Sequence, residues 1–280
     1  MLSHSIGSQD TLRVYLDRIG FAGRPVANYA TLAELCRLHV LTFPYENLDV
    51  QLGRRVTRDP HDAFVKLVLQ RRGGWCYEYN GLFTWMLELS GFRVRRLAGA
   101  VMREAAGDKM IGNHLVPIVE LDDHYIVDVA MGHFEPVRLA TGPVTQGWRR
   151  YAIEQAGDAW WRFRNHPGQL PPSFDFSLSV EDPAILDGAC EWLQADPGSP
   201  FVRHAIIQRS FPDRMETLTG RRYGVLTGGG EIVTEVCGRA AYERIARQLL
   251  GNDVQDLCAI WARVSTAPPA GFLTPLDEAA

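Results

Sequence analysis

Cysteine is scarce in this 280-residue chain, and the few present do not pair. There are five, at positions 36, 76, 190, 237 and 258, odd in number and widely scattered. No C-x-x-C spacing occurs, which argues against zinc and against a disulfide framework and makes a reducing cytoplasm the expected compartment. Also missing is any uncharged apolar run of about 18 residues, so no membrane span is expected. Residues 1–13 lack the basic-then-apolar pattern of a secretory leader. There is no basic run or excess: the formal net charge is −4, which excludes nucleic acid as an expected partner and is too small for an acidic tail. Internal repeats and low-complexity segments are absent as well. What remains, 46% hydrophobic and 22% charged, is the composition of a globular protein above the size at which single cores usually divide.

The first ninety residues carry helical periodicity. Leu12–Arg18 forms a short amphipathic stretch before Gly20, and Thr31 with Glu34 suggests a capping box ahead of Leu35, Leu38 and Val40. Pro44 ends that run. Asp59-Pro60 combines a cap with proline at the first helical position, ahead of Phe64, Leu67 and Val68. The pattern then turns β-branched: Arg93–Val101, His114–Leu121 and Tyr125–Ala130 are expected strands, with Asp122-Asp123 as a hairpin turn, and extended segments follow through Val137 and Tyr151–Phe163. Pro167, Pro171 and Pro172 mark a long irregular connection. A helix is expected over Pro183–Gln194, short strands over Phe201–Arg209, Tyr223–Leu226 and Glu231–Val236, and an amphipathic helix over Arg239–Leu250. Gly228-Gly229-Gly230 lacks the Lys-Ser/Thr of a phosphate loop and is assigned to a turn.

The segment Arg72-Gly73-Gly74-Trp75-Cys76-Tyr77-Glu78-Tyr79-Asn80 sets a cysteine after a glycine pair and directly before Leu82, Phe83, Met86 and Leu87 at helical spacing, with Gly91 as a stop. Cys76 is therefore expected in the first turn of a helix, where unpaired N–H groups and the dipole favour an anion. Such a position, with a cationic neighbour, lowers a thiol from about 8.5 to roughly 3.5–7.5. The bland reading is a packing cysteine, which Cys36, Cys190, Cys258 and, less firmly, Cys237 are expected to be.

A cysteine nucleophile needs a base and an orienting acid. Of the eight histidines, His4 sits near the terminus, His39 and His61 on helices, His124 at the hairpin turn, His166 beside prolines, and His204 in a strand with a surface position expected. His114 opens an apolar strand after a loop and can face a cleft. Asp128 is a lone carboxylate among Tyr125, Ile126, Val127 and Val129, where a buried charge requires a partner. A two-residue turn at Asp122-Asp123 would set Pro117, not His114, opposite Asp128. Joining the two requires a longer loop, a bulge or strong twist.

At these residues the chain resembles the arylamine N-acetyltransferase family. The Arg-Gly-Gly-x-Cys-x-Glu-x-Asn signature is complete at 72–80, Phe43-Pro44-Tyr45-Glu46-Asn47-Leu48-Asp49 is similar to the Pro-Phe-Glu-Asn-Leu block with tyrosine for phenylalanine, and Asn113-His114-Leu115-Val116, Val127-Asp128-Val129 and Ser199-Pro200-Phe201 match further landmarks. The likeness spans roughly residues 12–250. It implies an α+β, papain/transglutaminase-like fold in three parts: an N-terminal helical bundle (1–90) carrying the cysteine, a β-barrel-like domain (91–195) carrying histidine and aspartate, and an α/β lid (196–280). It further implies a Cys76–His114–Asp128 triad and Arg72 locked to Glu46 as structural support. Tyr45, Met131 and Gly132 are implied beside the substrate. No metal and no permanently bound cofactor are implied; acetyl-coenzyme A is the co-substrate and an arylamine or arylhydrazine the acceptor, in a ping-pong reaction, and the expected place of Cys76 at a helix start makes its N–H a candidate oxyanion donor. One departure stands out: the family continues after its aspartate as Val-Gly-Phe-Gly, whereas this chain has Val129-Ala130-Met131-Gly132. A neutral packing swap and a changed acceptor are both open, the latter because related amide synthases close macrolactams from carrier-bound polyketides. A cysteine hydrolase and an inactive binding protein are the alternatives of another class.

Overall fold

The computed structural model describes residues 8–251 and 256–267, so His4 lies outside the described residues. The helical part runs α1 (Ser8–Ile19), α2 (Tyr29–Thr42), the short strand β1 (Tyr45–Glu46), α3 (Leu48–Gln51), α4 (Pro60–Phe64) with a continuing π-helical turn over Val65–Leu69, and α5 (Cys76–Leu89). The start of α2 differs from the expectation. Asn28, not Thr31, caps it, accepting the Thr31 N–H at 2.9 Å, because an asparagine oxygen three residues upstream reaches the same free donor. Asp59 and Pro60 do open α4 as expected. Helix α5 is buried nearly all round, with Leu82, Phe83, Met86 and Leu87 in one core that also holds Leu32, Leu35, Cys36 and Leu67.

The strands β2 (Arg93–Val101), β3 (His114–Glu120), β4 (His124–Ile126), β5 (Val137–Arg138), β6 (Gly142–Gln146), β7 (Arg149–Gln155), β8 (Trp161–Arg164) and β9 (Ser173–Phe176) form one curled sheet in the order β5-β4-β3-β2-β9-β8-β7-β6. A short helix, α6 (Arg103–Ala106), follows β2. Phe163, Phe174, Phe176, Val116 and Ile118 fill the interior of this nearly closed barrel. The expected extended stretch 151–163 is two strands, folded back as a β7–β8 hairpin that pairs Gln155 with Trp161.

The last part contains α7 (Pro183–Ala195), α8 (Pro200–Arg203), β10 (Ile206–Ser210), β11 (Met215–Thr219), β12 (Arg222–Thr227), β13 (Gly230–Glu235), α9 (Arg239–Leu250) and α10 (Leu257–Thr266). Residues 201–203 were expected to be extended, but Ser199 accepts the Phe201 N–H and Pro200 occupies the first position, so the segment turns helical. Cys258 and Cys237 are exposed, against the expectation of core positions, because each falls on the outward side of its segment; Cys36 and Cys190 are buried as expected. The second sheet, ordered β1-β10-β11-β12-β13, borrows its first strand from the helical part, with Tyr45 opposite Gln208. That pairing, together with the bridge from Tyr45 to Gly74, brings the last part against the loop that precedes Cys76.

An ionic cluster fixes this loop. Lys66 is one of two lysines in the chain, the other being Lys109. It is buried and binds both oxygens of Glu78 at 2.9 Å, Asp49 at 2.9 Å and, more distantly, Glu46 at 3.8 Å. Arg72 pairs chiefly with Asp49, at 2.7 Å, and only secondarily with Glu46, at 3.6 Å, so the expected Arg72–Glu46 lock is shared with two residues not anticipated. Two cations against three carboxylates leave one negative charge in excess. Burial, with Glu46 nearby, therefore pushes the Glu78 carboxyl up to about 7 despite Lys66. Burial alone would raise Asp49 as well, but Lys66 and Arg72 outweigh it and bring it down to about 2.

Two predictions follow from this cluster. Arg72→Ala leaves part of the acidic excess uncompensated and lowers unfolding stability in urea by about 3 kcal/mol; a change indistinguishable from zero contradicts the structural role. Folded Glu78 keeps a proton that the unfolded chain releases between about 4.5 and 7, so its contribution to stability is present below that window and lost as pH rises through it. Glu78→Gln therefore flattens the decline of thermal stability between those pH values, and an unchanged slope contradicts the assignment.

Candidate active site

Cys76 is the first residue of α5, 3% exposed. Its placement needs both preceding glycines. A Cβ on Gly73 would stand 2.5 Å from the Pro44 carbonyl and 2.6 Å from Glu46 Cγ, so the loop lies flat on β1 only without a side chain. The Gly74 carbonyl accepts the Glu46 N–H at 3.0 Å, and the Glu78 carboxylate accepts the Trp75 N–H at 3.2 Å, closing the start of the helix.

The expected lowering of the Cys76 thiol is not what the folded site produces. Burial pushes the thiol up, with Cys190 and the Asp128 charge adding to it; the Tyr77 N–H at the helix start and the Tyr45 hydroxyl oppose but do not overcome this. An isolated thiolate is therefore disfavoured here, and the anion forms at neutral pH only with its proton passed to a neighbour that stays charged beside it. Tyr45, expected only to line the substrate, shares the cavity with Cys76, and its hydroxyl favours the thiolate.

His114 begins β3 and is 1% exposed; Asp128 is fully buried, and their Nε2 and Oδ2 atoms are 2.6 Å apart. The register that achieves this differs from a two-residue turn. Glu120 pairs with His124, leaving three residues in the loop, and the ladder shifts by one position. The strand expected over Tyr125–Ala130 ends at Ile126, and Asp128 instead caps a 3₁₀ turn over Val129–Met131, accepting the Met131 N–H at 3.2 Å. A capping aspartate leaves the sheet plane, and its carboxylate turns back to His114 two residues further along β3 than a straight ladder allows.

Asn80 completes the connection. Its amide donates to Asp128 Oδ1 and to the Leu115 carbonyl, both at 2.8 Å, and its oxygen accepts the Ala130 N–H at 3.0 Å. Spaced four residues from Cys76 on one helix, it lies on the same face, and that spacing is the signal by which its role was open to sequence reasoning. Burial alone would raise the Asp128 carboxyl. The His114 charge and hydrogen bond outweigh it and, with His133 and Asn80, hold the group below the ordinary carboxylate range. His133, one turn away and wholly buried, is driven down to about 4 by burial and stays neutral.

Cys76 and His114 open into one cavity of about 230 Å³, whose walls include Tyr45, Ala130, Met131, Met110, Gln169 and Trp192. Met131 is held at its sulfur by the Asn165 amide (3.7 Å) and at its carbonyl by Gln169 (2.9 Å), so it is a fixed wall. Gly132, expected beside the substrate, lies behind that wall. Its φ of +78° and the Arg149 guanidinium 2.9 Å from a Cβ placed there make it a packing position. His204, expected in a surface strand, ends α8 half-buried and faces the cavity. Among the described residues no group of three or more His, Cys, Asp or Glu side chains is placed to hold a metal ion, and no helix is long and apolar enough to cross a membrane.

A family model described as N-acetyltransferase matches residues 28–256. The chain belongs to the arylamine N-acetyltransferase family. Among its relatives, the arylamine N-acetyltransferase of Escherichia coli K12 is 34% identical over 276 residues, covering 93% of this chain and 98% of its own, and that of Mycolicibacterium smegmatis is 34% identical over 225 residues, covering 77% and 82%. The fold is likewise similar to the M. tuberculosis arylamine N-acetyltransferase structure (TM-score 0.80, 29% identity, 90% of this chain and 99% of that one) and to the M. marinum enzyme in complex with CoA (TM-score 0.79, 29% identity, 90% and 98%). The expected α+β, transglutaminase-like fold class is thus the family's own.

Asn80→Ala removes three buried hydrogen bonds at the point where α5, β3 and the 3₁₀ turn meet. It is expected to cost about 2 kcal/mol of unfolding stability. A loss under about 0.5 kcal/mol, the size of a surface substitution, contradicts that placement.

Proposed function

We propose that this chain transfers an acetyl group from acetyl-coenzyme A to the nitrogen of arylamines and arylhydrazines through an acetyl-cysteine intermediate. The observation that carries the reading is the buried chain Asn80–Asp128–His114 in the cavity that also holds Cys76. Asp128 orients the imidazole through Nε2, which leaves the other ring nitrogen for the thiol proton. The Cys76 proton passes to His114, and the thiolate attacks the thioester carbonyl. The oxyanion is met by the Cys76 N–H and by the Tyr45 hydroxyl, which the Pro-Phe-Glu-Asn-Leu form of the block lacks. Collapse breaks the C–S bond to coenzyme A, whose sulfur leaves with the His114 proton. The aryl nitrogen then attacks the acetyl-cysteine, His114 takes the excess N–H proton, and the Cys76 thiolate departs, ready for the next cycle.

The division at 1–90, 91–195 and 196–280 belongs to the same reading. Three buried clusters support it, although the first also takes in α7 and residues of β2 and β3, and the second takes in Leu48. Five unpaired cysteines fit a cytoplasmic setting. Ala130-Met131 gives the cavity wall a different shape where the family carries Gly-Phe, so acceptor preference is the property expected to differ from that of relatives.

Incubation with acetyl-coenzyme A followed by intact mass is expected to show one added acetyl group, discharged by an arylhydrazine and absent in Cys76→Ser. Peptide cleavage without acetylation assigns a hydrolase instead, and neither outcome assigns a binding protein. Transfer of only long acyl chains would favour an amide synthase. Tyr45→Phe is expected to lower kcat/KM for acetyl-coenzyme A about a hundredfold, the low end of the worth of one oxyanion donor; an unchanged value removes Tyr45 from the chemistry.

A further inference from the structure

Arg149, the first residue of β7, is a cation held inside the protein without a counter-charge. It is fully buried, and among the described residues no carboxylate pairs with it. Its guanidinium donates instead to two neutral oxygens, the Gly132 carbonyl and, at 3.2 Å, the Ser210 hydroxyl at the end of β10. The rings of Phe134 and Trp148 have their centres 4.8 and 4.9 Å from its central carbon. Two aromatic faces and two dipoles offset part of the hydration lost by a buried charge, not all of it. A neutral amide could meet the same oxygens with a smaller desolvation penalty. A charge retained in this way calls for a use, and its position supplies one.

Gly132 closes the turn that Asp128 caps, and His133 follows it, donating its N–H to the Asp128 carbonyl at 3.2 Å. The His133 ring packs on Phe163 at 4.6 Å and on Tyr151 at 5.1 Å, and neither ring nitrogen has a hydrogen-bond partner among the described residues. Burial opposes a proton on this ring most strongly, the Asp128 carboxylate attracts one, and Arg149 and His114 add to the opposition. His133 is thus a second imidazole in the field of the carboxylate on which His114 depends. A proton there would set a rival cation beside Asp128 and oppose the imidazolium that His114 must become.

We propose that Arg149 is a positioning residue for the acyl transfer: it fixes the end of the Asp128 turn through the Gly132 carbonyl, and its charge reserves Asp128 for His114 against the neighbouring imidazole. The inference rests on the reading in which Cys76 passes its proton to His114. The other charged and titratable groups that face this set are Cys76 on α5, Tyr45 on β1, Cys190 on α7 and Tyr151 on β7, while β8 contributes the uncharged Phe163.

The test neutralises the charge without removing the side chain. Ser210→Asp places a carboxylate beside the guanidinium, where the serine already bonds it, and leaves Arg149 on the Gly132 carbonyl; Arg149→Met removes charge and bonds together. The rate at which iodoacetamide alkylates Cys76, read by peptide mass across pH, is followed in each, alone and combined with His133→Phe. In the unaltered chain the rate at mildly acidic pH is expected to stay near its neutral value. In Ser210→Asp and in Arg149→Met it is expected to fall at least about tenfold on the same acidification. On the His133→Phe background neither substitution is expected to produce that fall. Arg149→Lys, which keeps the charge and loses the fork, is expected to hold the acid-side rate while melting at a lower temperature. A fall that persists with His133→Phe shows that Arg149 acts through packing alone and overturns the proposal, as does an unchanged profile in Ser210→Asp or a fall in Arg149→Lys equal to that in Arg149→Met. If Arg149→Met does not fold, Ser210→Asp and Arg149→Lys decide by the same criteria. An unaltered chain that reacts only in the alkaline range removes the proton-transfer reading and the proposal with it, whereas an acid-side rate that neutralising Arg149 leaves untouched removes the proposal alone.

Discussion

A single carboxylate, buried completely, organises the site. Asp128 has no contact with water to stabilise its charge, so the fold must supply what water would. It does so from three directions: the Asn80 amide on α5, the His114 ring on β3, and the Met131 N–H of the turn that Asp128 itself caps. Each donor comes from a different element. The carboxylate therefore acts as the point at which helix, strand and turn are held in register, and a displaced partner would leave a bare charge in the core.

On the other side of Cys76 lies a second buried charge system. Lys66 and Arg72 gather Glu46, Asp49 and Glu78, and through them the loop Arg72–Trp75 is held against β1 and the start of α5. The two systems divide the work. The ionic cluster positions the sulfur along the helix; the Asp128 network brings an imidazole to the same cavity from the barrel. Because Tyr45 belongs to β1, which the second sheet extends, the third part of the chain is also tied to the sulfur's surroundings. A cysteine that burial alone would keep protonated is thereby placed where it can only ionise as half of a pair.

Much of this was legible in the residues. The glycine pair, the cysteine and the helical spacing after it located the start of α5, and an aspartate among β-branched residues marked Asp128 as a charge in need of a partner. The matching of His114 to Asp128 was also legible, but its geometry was not. Turn length and strand termination depend on a cap that forms only when the chain has already folded back, and a one-residue shift of register leaves no trace in composition. Lys66 escaped notice because its signal is long-range: it sits on a helix with nothing nearby to pair it, and its three carboxylates arrive from β1, α3 and α5. Gly132 shows the opposite limit of sequence reasoning. It adjoins Met131 in sequence, yet a left-handed turn directs the chain behind the cavity wall.

The central claim is that Cys76 ionises by proton transfer to an imidazole held by Asp128. The rate at which iodoacetamide alkylates Cys76, followed across pH, tests it most directly. The account predicts a plateau of reactivity well below the range of an ordinary thiol, about 8.5, and loss of that plateau in Asp128→Asn with Cys76 still present and the chain still folded. A rate that climbs only through the alkaline range, identically in both proteins, would contradict it.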